Sequence, residues 1–200
     1  RDVERSRGLG DVYKRQSIHP GDAHKDIESL THVWTELGRL GATRHSCVIN
    51  LGGGMVTDLG GFAASTFKRG VDFINIPTTL LSMVDASVGG KTGINFNGLK
   101  NEVGVFNNAR RVIIDTSFLK TSDRKNLLSG YAEMLKHGLL NGDPAWAVLL
   151  TYDIESPDLE RLSALVADSI AVKERIVSLD PHEELSLIHI SEPTRPLYIS

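Results

Sequence analysis

The 200-residue sequence has one cysteine, few aromatic residues and no long apolar run, and each shortage excludes a class of protein. A single cysteine, Cys47, cannot form an internal disulfide, which argues against a disulfide-stabilised secreted scaffold and favours a reducing, cytoplasmic setting. No segment approaches the roughly 20 consecutive apolar residues that a membrane-spanning helix needs. The formal net charge is -3, which argues against a nucleic-acid partner because phosphate binding usually requires a basic surface.

The composition is that of a chain able to bury a core. Hydrophobic residues make up 40% of the sequence and charged residues 24%, which excludes a disordered polymer and predicts one or two ordinary domains.

The two ends of the chain do not continue the pattern of the residues between them. Residues 1–16 and 185–200 contain the strings GDVYKRQ and SLIHISEPTR. Both strings resemble translated sequencing-adapter read-through, so we interpret them as artefacts and derive the fold from residues 17–184. A natural tail is the alternative interpretation.

The apolar pattern between these ends predicts an alternation of helices and strands. Apolar residues at helical spacing predict helices over 26–40 and 56–66. Short apolar runs predict strands over 46–51, 73–77 and 112–115. The first of these runs is typical of a strand buried on both faces of a parallel sheet. This order predicts an α/β domain built from βαβ units.

A second, helical domain is predicted for the rest of the chain. From Thr121 onward the apolar spacing is helical almost throughout. We therefore place a domain boundary near Asp115 or Thr116, with an α/β domain over 17–115 and a helical domain over 116–184.

The first two candidate motifs follow predicted strands. Gly52–Asp58, GGGMVTD, lies between a strand and a helix, where glycines permit a tight turn and helix amides favour a phosphate. It is not the GxGxxG fingerprint, and a turn needing glycine for geometry alone is the alternative. Pro77–Asn101 is too glycine-rich for a regular helix, and its clustered polar groups predict an irregular ligand-binding stretch rather than a solvated loop.

The third and fourth motifs lie in predicted helices. In SGYAEMLKHG, Glu133 shares a helix face with Lys136 and His137. Spacing alone allows a surface Glu-Lys pair, a Glu-His metal site, or an inward-facing metal ligand at Glu133 beside a lysine for an anionic substrate. In AVKERIVSLDPHEE, Lys173 and Glu174 begin a polar stretch that spacing alone predicts to be a solvated helix terminus.

Together the four motifs resemble the 3-dehydroquinate synthase family of the shikimate pathway. The resemblance rests on GGGMVTDLGGFAASTFKRG, INIPTTLLSMVDASVGGKTGINFNGLKN, SGYAEMLKHG and VKERIVSLDPHE, in this order. HPGDAHK resembles a further family element, with Asp22 in place of the usual Glu. The resemblance covers residues 17–184 and implies a Rossmann-like NAD-binding domain followed by a helical metal-binding domain.

The resemblance also implies an activity and a set of site residues. It implies an NAD- and metal-dependent lyase, with zinc or cobalt, that converts the seven-carbon phosphate DAHP into 3-dehydroquinate and phosphate in aromatic amino acid biosynthesis. Its implied cofactor-binding residues are Asp22, Lys25, Gly53, Gly54, Met55, Val56, Thr57, Asp58, Thr78, Thr79, Lys91, Lys100, Phe118, Leu119, Lys120 and Thr121. Its implied catalytic or substrate-contacting residues are Arg69, Asp85, Lys91, Asn101, Lys136, Lys173 and Glu183, and its implied metal ligand is Glu133. His137 matches no ligand of the family. A cytoplasmic homodimer is implied for the intact parent.

The sequence departs from the family after Glu183. The family continues into a Gly-His-Thr-x-Gly-His segment whose histidines complete the metal site, and this chain does not contain it. Because catalytic zinc sites generally use three protein ligands, we expect this 200-residue chain, as an internal fragment, not to turn over DAHP. Two other functions stay open: another sugar-phosphate cyclase or a metal-dependent polyol dehydrogenase of the same fold, and a non-catalytic NAD-binding fragment.

Overall fold

The computed structural model describes residues 14–180. Its helices and strands are α1 Ile27–Arg39, β1 Cys47–Gly52, α2 Gly54–Thr66, β2 Asp72–Pro77, β3 Lys91–Phe96, β4 Leu99–Phe106, β5 Arg111–Val112, α3 Arg124–Asn141, α4 Asp143–Leu150 and α5 Leu159–Leu179. Short 3-10 turns cover Asp22–His24, Phe67–Arg69 and Thr116–Thr121, and a π-helix covers Ser82–Ala86.

The first half of the chain forms a parallel α/β unit. Strands β1, β2 and β5 form a three-stranded sheet in that order, with both pairings parallel. Helix α2 connects β1 to β2 and packs on the sheet, as a βαβ crossover requires. The predicted α/β fold class is therefore confirmed.

Strand β1 differs from its prediction as a strand buried on both faces. Ile49 is 61% exposed and Leu51 is 57% exposed, whereas Asn50 between them is buried. Within residues 14–180, β1 is hydrogen-bonded to β2 on one side only, and α2 covers only one face of the strand. The Asn50 amide points toward α2 and donates to Asn75 Oδ1 at 2.9 Å, so the buried face carries a polar pair.

Strand β5 is shorter than the predicted strand over 112–115. It ends at Val112, and Asp115 instead caps the following 3-10 turn by accepting a hydrogen bond from Ser117 N at 2.9 Å. The local Asp-Ser bond competes with continuation of the strand.

A β-hairpin occupies part of the stretch predicted to be irregular. Strands β3 and β4 pair in antiparallel register, with a bulge between Ile94 and Phe96. Asn97 and Gly98 link them with φ values of 50° and 80°, the left-handed conformations that a tight hairpin turn requires. The hairpin lies close against α2, because a side chain at Gly61 would come within 2.6 Å of Thr92.

The second half of the chain is helical, as the spacing after Thr121 predicts. Helices α3, α4 and α5 enclose a core that also receives residues from the π-helix region. The buried members of this core are Leu80, Met83, Val84, Leu119, Tyr131, Met134, Leu149, Tyr152, Ile154, Leu162, Leu165 and Val166. A domain boundary near Asp115 or Thr116 stays a prediction. Across the part of the chain that the structure describes, no helix is long and apolar enough to cross a bilayer.

Candidate active site

Two turns that come from separate motifs lie side by side at the carboxyl ends of β1 and β2. Thr78 N donates to Gly52 O at 2.9 Å, and a Cβ added at Gly53 would lie 3.1 Å from Thr79 Cγ2. Gly53 caps the N-terminus of α2 without a side-chain hydrogen bond in the described structure. Ligands of open α/β sheets bind at this edge, and the first amides of a helix favour an anion. This edge is therefore the candidate phosphate site.

The remaining residues of the GGGMVTD motif form the first turns of α2. Met55 and Val56 are partly buried, and Met55 packs against the core between α1 and α2. Thr57 is buried, and its hydroxyl donates to Gly54 O at 3.1 Å. The side chain of Thr57 is thus used inside the helix.

Lys25 is the centre of a charged cluster beside these turns. Its side chain is buried, and Nζ lies 2.9 Å from Asp58 Oδ2 and 2.5 Å from Asn101 Oδ1. Burial raises the pKa of Asp58, and the neighbouring ammonium of Lys25 opposes that rise. A buried ammonium of this kind needs such partners, since an unpaired buried charge is costly. The cluster joins three parts of the fold, because Lys25 follows the Asp22–His24 turn, Asp58 lies in α2 and Asn101 lies in β4.

Asp22 and Lys100 extend the Lys25 cluster to the surface. Lys100 Nζ lies 2.9 Å from Asp22 Oδ2, and the hydrogen bond from Lys100 lowers the pKa of Asp22. Asn101 has a φ of 54°, a left-handed conformation that is uncommon outside glycine. Asn101 N donates to Asn95 Oδ1 at 3.0 Å, and Asn95 Nδ2 donates to Asp22 O at 3.0 Å.

A second cluster joins the π-helix to α5. Asp85 lies within the π-helix, an uncommon conformation that is frequent at functional sites. Lys173 Nζ lies 2.8 Å from Asp85 Oδ1, and the Lys173 side chain is 11% exposed. Spacing alone predicted a solvated helix terminus here. That prediction is wrong for Lys173, which α5 turns inward, whereas Glu174 is exposed and α5 ends at Leu179. Asp85 is close enough to contribute to the raised pKa of Asp58, so the two clusters adjoin.

A third cluster lies on α3 around Glu133. Glu133 Oε1 is 2.7 Å from Lys136 Nζ and 3.3 Å from His137 Nε2, and the Glu133 side chain is 16% exposed. Burial disfavours ionisation of Glu133, but the contacts with His137 and Lys136 outweigh it and lower its pKa to about 2. Glu133 is therefore an ionised, largely buried carboxylate, and the surface-pair interpretation is wrong.

The Glu133 carboxylate has unused bonding capacity. Among the described residues, no hydrogen bond with acceptable geometry reaches Glu133 Oε1, although two nitrogens lie close to it. A buried carboxylate oxygen with a free lone pair is a suitable ligand for a divalent cation. Residues 14–180 contain no group of three or more His, Cys, Asp or Glu side chains able to hold a metal.

Other predicted site residues lie elsewhere along the described chain. Arg69 is exposed in the Phe67–Arg69 turn and has a φ of 69°. Lys91 begins β3 opposite Phe106, at the other end of the hairpin from Asn101. In the stretch from Phe118 to Thr121, Leu119 is buried in the helical core, Phe118 packs against that core, and Lys120 and Thr121 are exposed. Glu183 lies outside the described residues.

Two residues without a sequence-based assignment take part in these clusters. Asn95 connects Asn101 to Asp22, and its signal is the NFNG string of the hairpin turn. Ser169 contacts His137 Nδ1 at 2.7 Å, and it lies four residues before Lys173 on the same face of α5. The family resemblance assigns His137 no role, although spacing alone allows a metal site shared with Glu133, and the structure places His137 against Glu133.

Two solved structures of similar shape are cyclases with bound nicotinamide cofactor. The 2-deoxy-scyllo-inosose synthase complexed with carbaglucose-6-phosphate, NAD+ and Co2+ matches 86% of this chain and 48% of its own, with a TM-score of 0.79 and 26% identity. ValA, a 2-epi-5-epi-valiolone synthase from Streptomyces hygroscopicus with NAD+ and Zn2+ bound, matches 84% of this chain and 48% of its own, with a TM-score of 0.71 and 29% identity. The fold is thus the Rossmann-like α/β fold of these enzymes.

Sequence comparison identifies the family more specifically than the comparison of structures does. Residues 15–129 match the family model described as 3-dehydroquinate synthase N-terminal. A 3-dehydroquinate synthase from Parabacteroides distasonis is 57% identical over 167 residues, which cover 84% of this chain and 47% of that protein. The chain therefore belongs to the 3-dehydroquinate synthase family. It spans about half the length of the relatives that it matches.

Proposed function

We propose that this chain carries the NAD-binding and part of the substrate- and metal-binding machinery of a 3-dehydroquinate synthase, which converts DAHP into 3-dehydroquinate and phosphate. The proposal rests on contacts between residues that come from separate motifs. Lys25 contacts both Asp58 and Asn101, and Lys173 contacts Asp85 next to them. The 57% identity to a 3-dehydroquinate synthase favours this reaction over those of the other cyclases.

The glycine turn between β1 and α2 is the proposed pyrophosphate site of NAD. The N-terminus of α2 has no side-chain cap among the described residues, so its first amides can bind an anion. Thr79 lies against Gly53, so a larger residue at Gly53 would enter the space where the two turns meet. Lys100, which is largely exposed, is the proposed contact from the hairpin.

Glu133 is the proposed metal ligand supplied by these residues. The fit rests on its buried, ionised carboxylate and on the oxygen that lacks an aligned hydrogen bond among the described residues. A bound zinc or cobalt ion would polarise a substrate hydroxyl and stabilise developing negative charge on oxygen. Lys136, 2.7 Å from the same carboxylate, would lie beside that oxygen and orient an anionic substrate.

Lys173 and Asp85 are the proposed substrate contacts on the other side of the site. A substrate with a carboxylate and a phosphate needs several cations, and the structure holds Lys173 in a fixed position through Asp85. Together with Arg69, Lys91, Asn101 and Lys136, it would bind these anionic groups and stabilise the charge on a departing phosphate.

The same proposal includes the localisation and oligomeric state of the parent protein, and it leaves two alternative functions to be tested. The parent protein is proposed to be a cytoplasmic homodimer, in keeping with the single cysteine of this sequence and with its family. The alternatives of a polyol dehydrogenase or a non-catalytic NAD-binding fragment make different predictions about ligand binding and turnover.

Calorimetric titration of the 200-residue chain tests the proposal. We expect NAD+ to bind, and Lys100→Met to weaken NAD+ binding by about 10-fold, the cost of one charge-assisted hydrogen bond. Lys125→Met, which removes another exposed lysine, serves as the matched control and should leave affinity unchanged. With NAD+ bound, Lys173→Met should weaken DAHP binding by at least about 10-fold.

The outcomes separate the candidate functions. Binding of NAD+ without any binding of DAHP would favour a non-catalytic fragment. Stoichiometric NADH formation from a polyol would favour a dehydrogenase, because a cyclase returns the hydride to its product. Phosphate release from DAHP in the presence of zinc or cobalt would support the reaction and contradict the expectation that this chain is inactive.

A further inference from the structure

His137 and Ser169 form a buried contact behind the Glu133 carboxylate. Both side chains are almost fully buried, and His137 Nδ1 lies 2.7 Å from Ser169 Oγ. The other ring nitrogen, Nε2, lies 3.3 Å from Glu133 Oε1. The imidazole therefore lies between a hydroxyl on α5 and a carboxylate on α3, and its contact with Glu133 is an electrostatic one at ion-pair distance, not an aligned hydrogen bond.

The chemistry of the three groups favours a hydrogen on one nitrogen of the imidazole. An ionised carboxylate only accepts hydrogen bonds, whereas a hydroxyl can donate or accept. If Nε2 carried no hydrogen, its lone pair would face the negative oxygen of Glu133. An arrangement with hydrogen on Nε2 avoids this repulsion, and the Ser169 hydroxyl can pair with Nδ1 either as donor or as acceptor.

A cavity beside the His137 ring indicates what the Ser169 contact does. A cavity of about 90 Å³ adjoins the ring and is lined by both His137 and Ser169, together with Asn141 and Asp168. Without a hydroxyl at Ser169, the imidazole has space in which to turn away from Glu133. The hydroxyl thus fixes the orientation of the ring.

We propose that His137 and Ser169 are positioning residues that hold the Glu133 carboxylate in place for a divalent metal ion. The proposal rests on the proposed function of Glu133 as a metal ligand. Partners behind a metal ligand commonly fix its orientation, and their loss typically costs 10- to 100-fold in metal affinity, as a rough guide. Neither His137 nor Ser169 is proposed to touch the metal or the substrate.

Nuclear magnetic resonance of the metal-free chain tests the positioning directly. Long-range proton-nitrogen spectra of the imidazole should show hydrogen on Nε2 of His137, and NOEs should connect the ring to the Glu133 side chain. Ser169→Ala should reduce both signals, and Ser169→Thr, which keeps the hydroxyl, should retain them. Ser178→Ala changes an exposed serine of the same helix and should have no effect.

Metal titration provides the second measurement. Co2+ affinity should fall by about 10-fold or more in Ser169→Ala and in His137→Phe, while His137→Gln should lose less because its amide can still donate. Glu133→Ala should lose the most. Circular dichroism of each variant shows whether the fold is retained, and Ser169→Ala removes only one oxygen.

The two measurements distinguish failure of this proposal from failure of the proposed function. Hydrogen on Nδ1 alone in the wild-type chain, or unchanged NOEs in Ser169→Ala, would overturn the positioning role. Co2+ affinity that falls in Glu133→Ala but not in Ser169→Ala or His137→Phe would overturn it as well. If Glu133→Ala leaves Co2+ affinity unchanged, the metal-ligand role of Glu133 fails, and the metal-free spectra alone decide whether the ring orients the carboxylate.

Discussion

Replacing Lys25 by methionine should destabilise the protein by leaving the Asp58 carboxylate without its cation. Lys25 Nζ and Asp58 Oδ2 are 2.9 Å apart, and at an effective dielectric constant of about 20 their attraction is about 6 kcal/mol. The Asp58 side chain retains 20% exposure, so water recovers part of this energy. We expect a net loss of about 3 kcal/mol, at the lower end of the range for removing one partner of a buried pair.

The loss should depend on pH in a definite direction. Burial already raises the pKa of Asp58 and Lys25 opposes that rise, so Lys25→Met should raise this pKa further. A carboxyl whose pKa is higher in the folded protein than in the unfolded chain costs stability as the pH rises above the unfolded value. The loss should therefore be present near pH 7 and should shrink as the pH falls through the raised folded-state pKa of Asp58, because protonation in the folded protein removes the unpaired charge.

Urea unfolding followed by far-UV circular dichroism measures this effect at about pH 7 and about pH 4.5. Four proteins form a double-mutant cycle: the wild type, Lys25→Met, Asp58→Asn and the double variant. The double variant should be more stable than Lys25→Met because no unpaired carboxylate remains, and the coupling energy should be about 2 kcal/mol. A loss below about 0.5 kcal/mol, or an equal loss at both pH values, would refute the reasoning.

Four further substitutions test separate parts of the structure. Gly60→Ala should cost about 2 kcal/mol in urea unfolding because its Cβ would overlap the Asn50 amide, whereas Gly38→Ala has open space and should gain roughly 0.5 kcal/mol or more. Glu133→Gln should lose up to about 3 kcal/mol near pH 7, because the low pKa of about 2 stabilises the fold above about pH 4.5; the difference should disappear as the pH falls toward 2. Lys68→Gly should raise the melting temperature by a few degrees, since a φ of 50° costs a non-glycine residue roughly 1 kcal/mol. An unchanged melting temperature would show that this backbone conformation carries little strain.

The parts of the fold that could be predicted from sequence are those with a local signal. Helix α1 shows a clear apolar period, and the glycines after β1 mark a strand-to-helix turn. The exposure of Ile49 and Leu51 could not be predicted, because an apolar run does not reveal on how many sides a strand is paired. The hairpin had a usable signal in Asn97 and Gly98, but β4 is exposed along its whole length and lacks the alternation of a half-buried strand.

The candidate site, like the fold, could be predicted from the sequence only in part. Motif order indicates which residues belong to it, but not which of them touch. Lys25 and Asn101 are 76 positions apart, and their contact depends on how the hairpin packs on α2. The inward orientation of Lys173 depends on the π-helix that carries Asp85, and a π-helix leaves no periodic signal in five residues.

The buried Asn50-Asn75 pair has a consequence for folding. The two residues face each other across the β1-β2 ladder. A shift of two residues would keep the same face of each strand buried, but it would place Asn50 opposite Phe73 or Pro77, neither of which can hydrogen-bond an amide side chain. Each unpaired buried amide would then cost about 1–3 kcal/mol. The pair thus penalises misaligned strands that hydrophobicity alone would accept, and it selects one alignment of the sheet on which the glycine turn and Thr78 meet.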